Sequence, residues 1–218
     1  MKLPKKIAAL LAVTLVASSA GNLGYADTIK SVSEDKLVGA GRWETAIEVS
    51  KKGWTKSDKA VIVNDNAIAD ALAATPFAEA ENAPKLLTGK DKLEERTKAE
   101  LKRLGVKKVY LIGGEAVLSK NIETELKAEN LEIDRIQGET REFTALEIAN
   151  RLDAKKDISE IAVVNGYTGL ADAVSIAADK DMAIILSNST EGTKASDEFI
   201  NKEDIKTSYV IGGPNSVS

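Results

Sequence analysis

The sequence predicts an α/β fold built twice in tandem, and three observations carry that expectation. Short apolar runs alternate with longer amphipathic stretches along most of the chain. The segment Gly39-Ala-Gly-Arg42-Trp-Glu-Thr45-Ala-Ile-Glu48 returns as Gly138-Glu-Thr-Arg141-Glu-Phe-Thr144-Ala-Leu-Glu147. Val109-Tyr-Leu-Ile-Gly113-Gly114 returns as Ser208-Tyr-Val-Ile-Gly212-Gly213, and both pairs of segments are spaced by 99 residues. A solenoid unit is about 20 to 50 residues long, so a period of this length implies small α/β units, each with its own core.

After a polar stretch from Asp27 to Glu34, the first unit opens with a helical segment, Thr45 to Lys52. Lys59 to Val63 reads as a buried strand, Ile68 to Glu81 as an Ala-rich helix, and Lys85 to Thr88 as a short strand. Helix Leu93 to Leu104, strand Lys108 to Ile112, helix Ala116 to Ala128 and strand Glu132 to Ile136 complete it. The second unit runs through strand Glu160 to Val164, helix Leu170 to Asp179, strand Met182 to Leu186, helix Lys194 to Ile200 and strand Thr207 to Ile211. Strands separated by helices imply right-handed crossovers and a mostly parallel sheet covered on both faces, a three-layer unit. Counterparts of Lys120 to Ile136 are not found after Gly213, so the second copy is expected to be incomplete.

The first 26 residues stand apart. Lys2, Lys5 and Lys6 precede the apolar run Ile7 to Val16, and small residues lead to Gly24-Tyr-Ala26. That order is expected of a secretory signal cut after Ala26, and Ile7 to Ala20 is short for a span needing about 20 apolar residues. The expected division is therefore signal 1–26, leader 27–34, first unit 35–134 and second unit 135–218.

Loss of three lysines and no acid would take the formal charge from −4 to −7. Such a chain has no general attraction for nucleic acid, and an anionic ligand would need a local basic pocket. Cysteine is absent, so an exported chain of this kind is not held by disulfides, which suits a Gram-positive surface. Histidine is absent too, which removes the usual zinc ligands, the Ser-His-Asp and Cys-His nucleophile systems and the commonest general base. No cofactor is expected, and no membrane partner once the signal is gone.

The repeated motifs supply the candidate functional residues. Thr45 with Glu48, and Thr144 with Glu147, have the spacing of a capping box, in which the hydroxyl accepts from the N3 amide and the glutamate reaches back. Arg42 and Arg141 precede those positions in Gly-containing turns. Their guanidinium groups could fork onto a phosphate or carboxylate, or pair with an acid of the neighbouring unit. Asp70 and Asp172 sit in Ala-Asp-Ala segments at helix starts, where the macrodipole favours an acid without any catalytic role. Gly113-Gly114 and Gly212-Gly213 join strands to helices, where free amides can cradle an anion. Tight turns explain them as well, and neither has a nucleotide-loop spacing. Lys85-Leu86-Leu87 matches Ile184-Ile185-Leu186 as a buried strand. Lys85 is charged where the second copy is apolar, marking an edge, a strand end or a contact between units.

Taken together, these motifs resemble the cell wall binding repeat type 2 of clostridial surface proteins. The resemblance rests on the Gly-x-x-Arg-x-x-Thr-Ala starts and on Asn64-Asp-Asn-Ala-Ile-Ala-Asp70 with Asn165-Gly-Tyr-Thr-Gly-Leu-Ala-Asp172. It also rests on the Leu-Leu-Thr strand and the Ile-Gly-Gly ends, and it covers Leu37 to Ser218. It implies Rossmann/Toprim-like units, normally three per anchor in a pseudo-threefold trimer, here two with the second incomplete. It further implies noncovalent retention at a Gram-positive cell wall or cell surface on an anionic secondary cell-wall polysaccharide, with other S-layer proteins as further partners. The family's Ile-Leu-Leu motif, implicated in anchoring, falls on Lys85, Leu86 and Leu87 and on Ile184, Ile185 and Leu186. The first copy departs from it by a lysine.

The expected function is a noncatalytic, exported anchoring module. Arg42, Arg141 and the Gly-Gly turns would hold the polymer in grooves between units. Two other readings stay open: an extracellular α/β enzyme acting on wall glycan or a phosphorylated substrate, and a structural S-layer or adhesin component.

Overall fold

The computed structural model describes residues 35–175, 181–202 and 204–213. The expected signal and leader therefore lie outside the described residues. Helix α1, Arg42–Gly53, leads into strand β1, Lys59–Asn64, helix α2, Ile68–Ala80, and strand β2, Lys85–Thr88. Helix α3, Glu95–Leu104, strand β3, Lys108–Ile112, helix α4, Lys120–Ala128, and strand β4, Glu132–Ile136, follow. The second repeat has helix α5, Arg141–Lys156, strand β5, Glu160–Asn165, helix α6, Leu170–Val174, and strand β6, Met182–Ser187. A 3-10 turn at Lys194–Ser196, helix α7, Asp197–Ile200, and strand β7, Thr207–Ile211, come last.

The strands form two sheets, ordered β2-β1-β3-β4 and β6-β5-β7, with every pairing parallel. In the first sheet, β1 and β3 are central and nearly continuously apolar because both of their faces are covered. Ala60, Ile62, Val109 and Leu111 point to α3 and α4, while Val61, Val63, Tyr110 and Ile112 point to α2. Strand β4 crosses the expected boundary at 134/135 and belongs to the first sheet.

The expectation of one separate core per unit is corrected. Helix α2 has the sequence IADALAATPFAEA, apolar around most of its circumference, and it is buried on two sides. One side meets Val61, Val63, Tyr110 and Ile112, and the other meets Ala145 and Ile148 of α5 with Ile184 and Leu186 of β6. These residues form one apolar cluster that straddles the repeats. Each repeat keeps a second cluster of its own, on the far face of its sheet. The alanines let α2 approach both neighbours closely, and Phe77, 2% exposed, stacks edge-on against Tyr110 with centroids 4.9 Å apart. Truncating Phe77 to alanine would cost about 3–5 kcal/mol.

Helix ends differ from expectation where side chains other than the periodic ones decide them. Helix α4 starts at Lys120 rather than Ala116, because the Val117 and Leu118 amides turn back onto the Gly114 carbonyl. Helix α3 starts at Glu95 rather than Leu93, with the Glu94 amide donating to the Thr88 hydroxyl at 3.0 Å. It ends at Gly105, whose φ of 76° lets its amide and that of Val106 fold back on Leu101. The end expected for the second-repeat helix at Asp179 lies outside the described residues.

Candidate functional site

Each repeat begins with the same local device, and it is not the capping box. Helix α1 starts three residues earlier than expected, with Gly41 as its cap, and α5 starts after Thr140, so Thr45 and Thr144 lie inside the first turn. Their hydroxyls accept the Gly39 amide at 3.2 Å and the Gly138 amide at 3.0 Å, and Thr45 donates to the Gly41 carbonyl at 2.9 Å. Glu48 and Glu147 face the other way and pair with Lys51 at 2.8 Å and Arg151 at 2.9 Å. The glycine is required by close approach. A Cβ on Gly39 would lie 2.3 Å from the Glu44 Cβ, and one on Gly138 would lie 2.4 Å from the Phe143 Cβ. The Gly-x-x-Arg-x-x-Thr motif therefore lays the segment that enters each repeat across a helix start, with the arginine as the first residue of that helix.

Both arginines point at the loop after the first strand of their own repeat. Arg42 donates to the Asp65 carbonyl at 2.6 Å, and Arg141 donates to the Gly166 carbonyl at 2.6 Å. Asn64 and Asn165 shape the receiving loops by accepting amides two residues on, from Asn66 at 2.7 Å and Tyr167 at 2.8 Å. Arg141 also lies over the Tyr167 ring, 4.2 Å from its centroid. Neither arginine forms an ion pair among the described residues, so the expected pairing with a neighbouring acid is absent there at contact distance. One arginine is nevertheless coupled across the repeats, because Arg141 acts electrostatically on Asp70.

A groove of about 440 Å³ opens where these elements meet. It is lined by the start of α2 with Asp70, by Gly114 to Val117, by Gly138 to Arg141 and by Leu170 of the second repeat. Asp70 is 5% exposed, and burial pushes its carboxyl up to about 6 against the opposing pull of Arg141. Neither N-cap residue, Ala67 of α2 or Thr140 of α5, caps its helix with its side chain, although at the α5 start the buried Glu142 carboxylate accepts its own backbone amide. Gly113, with φ of 103°, packs beneath Asp70, where a Cβ would come within 3.1 Å of its Oδ2. The Gly113 amide is already donated to Ile136 at 2.8 Å, so it is not free for an anion, whereas Gly114 lines the groove. Gly212, with φ of 139°, and Gly213 are exposed at the end of β7, and Asp172 is exposed in α6. The structure thus brings together Arg141, Asp70 and Gly114, and it leaves Arg42, Asp172, Gly212 and Gly213 apart from them.

The Ile-Leu-Leu strands are core. Leu86, Ile185 and Leu186 are fully buried and Ile184 is 2% exposed, which puts these four side chains out of reach of a polymer. Ile184 and Leu186 pack against α2 across the repeat seam, while Leu86 and Ile185 fill the outer cores. The equivalent face of the first repeat is instead a groove of about 670 Å³, with Val49, Trp54, Pro84, Leu87 and Lys85 among its walls. Lys85 reaches the Ala71 carbonyl at 2.7 Å and the Thr75 hydroxyl at 2.5 Å, and burial holds its ammonium down to about 8.

Sequence reasoning passed over Glu81, which ties the repeats together. It lies just past α2 with its side chain 4% exposed, and it accepts Lys59 of the first repeat at 2.6 Å and Lys155 of the second at 3.0 Å. Burial pushes its carboxyl upward, but hydrogen bonds from Lys59, Lys155 and Tyr110 outweigh that and hold it below the usual range. No motif marks Glu81, because its partners come from distant parts of the chain.

Among the described residues, no helix is long and apolar enough to cross a membrane. Comparison with known proteins agrees with the geometry. The chain is 34% identical over 189 residues to the N-acetylmuramoyl-L-alanine amidase LytC of Bacillus subtilis, covering 85% of this chain and 37% of LytC. It is 32% identical over 187 residues to the amidase enhancer of the same organism, covering 84% and 25%. The chain thus spans between 25% and 37% of the length of these two curated relatives. The solved structure of Cwp6 from Clostridium difficile superposes with a TM-score of 0.78 at 37% identity, covering 88% of this chain and 32% of Cwp6. Cwp8 from the same organism superposes at 0.74 with 36% identity, covering 84% and 31%. The profile described as Cell wall binding domain 2 (CWB2) matches residues 36–123 and 135–218, one stretch per repeat. With two matched stretches, relatives in Bacillus and the Cwp6 and Cwp8 fold, this chain belongs to the cell wall binding domain 2 family.

Proposed function

We propose that the chain is a noncatalytic anchor that holds an exported protein on an anionic secondary cell-wall polysaccharide through the groove between its repeats. The observation that carries this reading is the convergence of Arg141, two helix starts whose N-cap residues make no side-chain cap and the Gly114 turn on one open groove. Arginine presents several donors in a fixed plane, and Arg141 spends only one nitrogen on the Gly166 carbonyl. Helix starts add oriented amides and a favourable field for an acidic group. Of the Ile-Leu-Leu positions, the buried Ile184 and Leu186 contribute by fixing the seam that shapes the groove, and not by contact.

The amidase named among the relatives does not extend to this chain in the proposal, since the matched part is 37% of that protein. The test is co-sedimentation of the chain and of Arg141→Ala with purified Bacillus subtilis walls, with circular dichroism to verify folding. Binding that weakens about tenfold in the variant, and that falls with added salt, supports the reading. Unchanged binding in Arg141→Ala, or release of soluble fragments from the walls by the chain, overturns it.

A further inference from the structure

Among the described residues that line the groove, Asp70 is the one buried acid. The residue as a whole is 5% exposed, it lines the groove, and its carboxylate accepts no hydrogen bond from any described residue. A carboxylate in that position costs free energy unless something donates to it, and the α2 macrodipole offsets only part of the cost. Its counterpart Asp172 occupies the same motif in the second repeat and is exposed. The burial of Asp70 therefore comes from its surroundings and not from the motif.

The charges around it restrict what the ligand can be. Glu115 and Glu139, exposed residues of the β3–α4 and β4–α5 loops, line the groove together with Arg141, so acids outnumber cations in its lining. A bare polyanion gains little from such a site. A ligand that brings both hydroxyl donors and an acidic group matches it, with the donors at Asp70 and the acid at Arg141 and the helix-start amides.

We propose that Asp70 is the specificity-determining residue of the inter-repeat groove, accepting hydrogen bonds from sugar hydroxyls while Arg141 holds the neighbouring acidic group. The groove then selects acidic glycans over simple polyanions. This rests on the anchoring reading and adds a role for a residue whose burial the macrodipole only partly offsets.

The experiment is calorimetric titration of the chain, Asp70→Ala, Asp70→Asn and Arg141→Ala with two probes. One is an oligomer of N-acetylhexosamine 1-phosphate units, and the other is linear polyphosphate of matched charge. The chain is expected to prefer the glycan, and Asp70→Ala to lose about tenfold in glycan affinity with no loss for polyphosphate. Asp70→Asn, which keeps one acceptor oxygen, is expected to retain part of the preference. Asp70→Ala removes a buried charge, and thermal unfolding of each variant verifies the fold. An unchanged ratio of glycan to polyphosphate affinity in Asp70→Ala overturns the role of Asp70. If the glycan still binds and Arg141→Ala abolishes it, the anchoring reading survives that failure. If neither probe binds and cell walls do not retain the chain, the anchoring reading falls with it.

Discussion

The Thr144 hydroxyl accepts the Gly138 amide at 3.0 Å, and this bond lays the chain leaving the first repeat across the first turn of α5. Everything at the groove that the second repeat's start contributes, from Gly138 to Arg141, is placed by that crossing. Gly138→Ala would put a Cβ within 2.4 Å of backbone and side-chain atoms of Phe143 that cannot move away independently. It is expected to destabilise the chain by about 2–4 kcal/mol and to displace Arg141. Urea unfolding gives the first quantity, and loss of wall binding at temperatures where the variant is folded gives the second.

The repeat seam and its open counterpart make a reciprocal pair of predictions. Ile184→Lys places an ammonium against the buried side of α2, where Ile184 now packs with Ala-rich surface, and is expected to cost about 3 kcal/mol or more. Lys85→Met removes a partly desolvated amine and is expected to stabilise at pH 7. Because the Lys85 ammonium is held down to about 8 from 10.5, the unfolded chain binds more protons between those values. Stability therefore rises with pH across that window in the parent, and chemical denaturation should show the rise reduced in Lys85→Met.

Asp70 gives the opposite acid-side signature. Its carboxyl is raised by burial from 3.8 to about 6, so between those values the folded chain holds a proton that the unfolded chain releases. Stability is thereby lost as pH rises through that window, an effect of about 2–3 kcal/mol at neutral pH. Asp70→Asn is expected to unfold at higher denaturant than the parent at pH 7 and to match it near pH 4. Equal shifts at both pH values would contradict a buried, raised carboxyl.

Glu81 should behave as a clamp. Glu81→Gln leaves Lys59 and Lys155 without their shared carboxylate and is expected to cost about 2–4 kcal/mol. Since its carboxyl lies below the usual range, the stability it supplies is present above the ordinary glutamate range and is lost as pH falls through its folded value. Hydrogen exchange should show protection lost together at the C-terminal end of α2 beside Glu81, at the start of β1 that carries Lys59 and at the end of α5 that carries Lys155.

The strands were readable from sequence because each is a short apolar run bounded by polar residues, and β2, β3, β4 and β7 have the expected limits. Period 2 and period 3.6 settle element type, but they do not say which element of one repeat packs on the other. The shared core is therefore not legible in local patterns, although the all-round apolar character of Ile68–Ala80 is its trace in the sequence. The capping-box spacing misled for a similar reason. Thr-x-x-Glu fits a helix start, but the glycine six residues before each threonine, which needs close backbone approach, sets a different use for the hydroxyl. Arg141 and Asp70 were both singled out by repetition, yet their meeting in one groove depends on the packing of α5 against α2, which no local pattern encodes.

The most direct measurement is co-sedimentation of the purified chain with Bacillus subtilis cell walls before and after extraction of their anionic polymer. Anchoring through the groove predicts that the chain pellets with intact walls and stays in solution with extracted ones. Equal pelleting with both, or with neither, would contradict polymer-mediated anchoring by this chain.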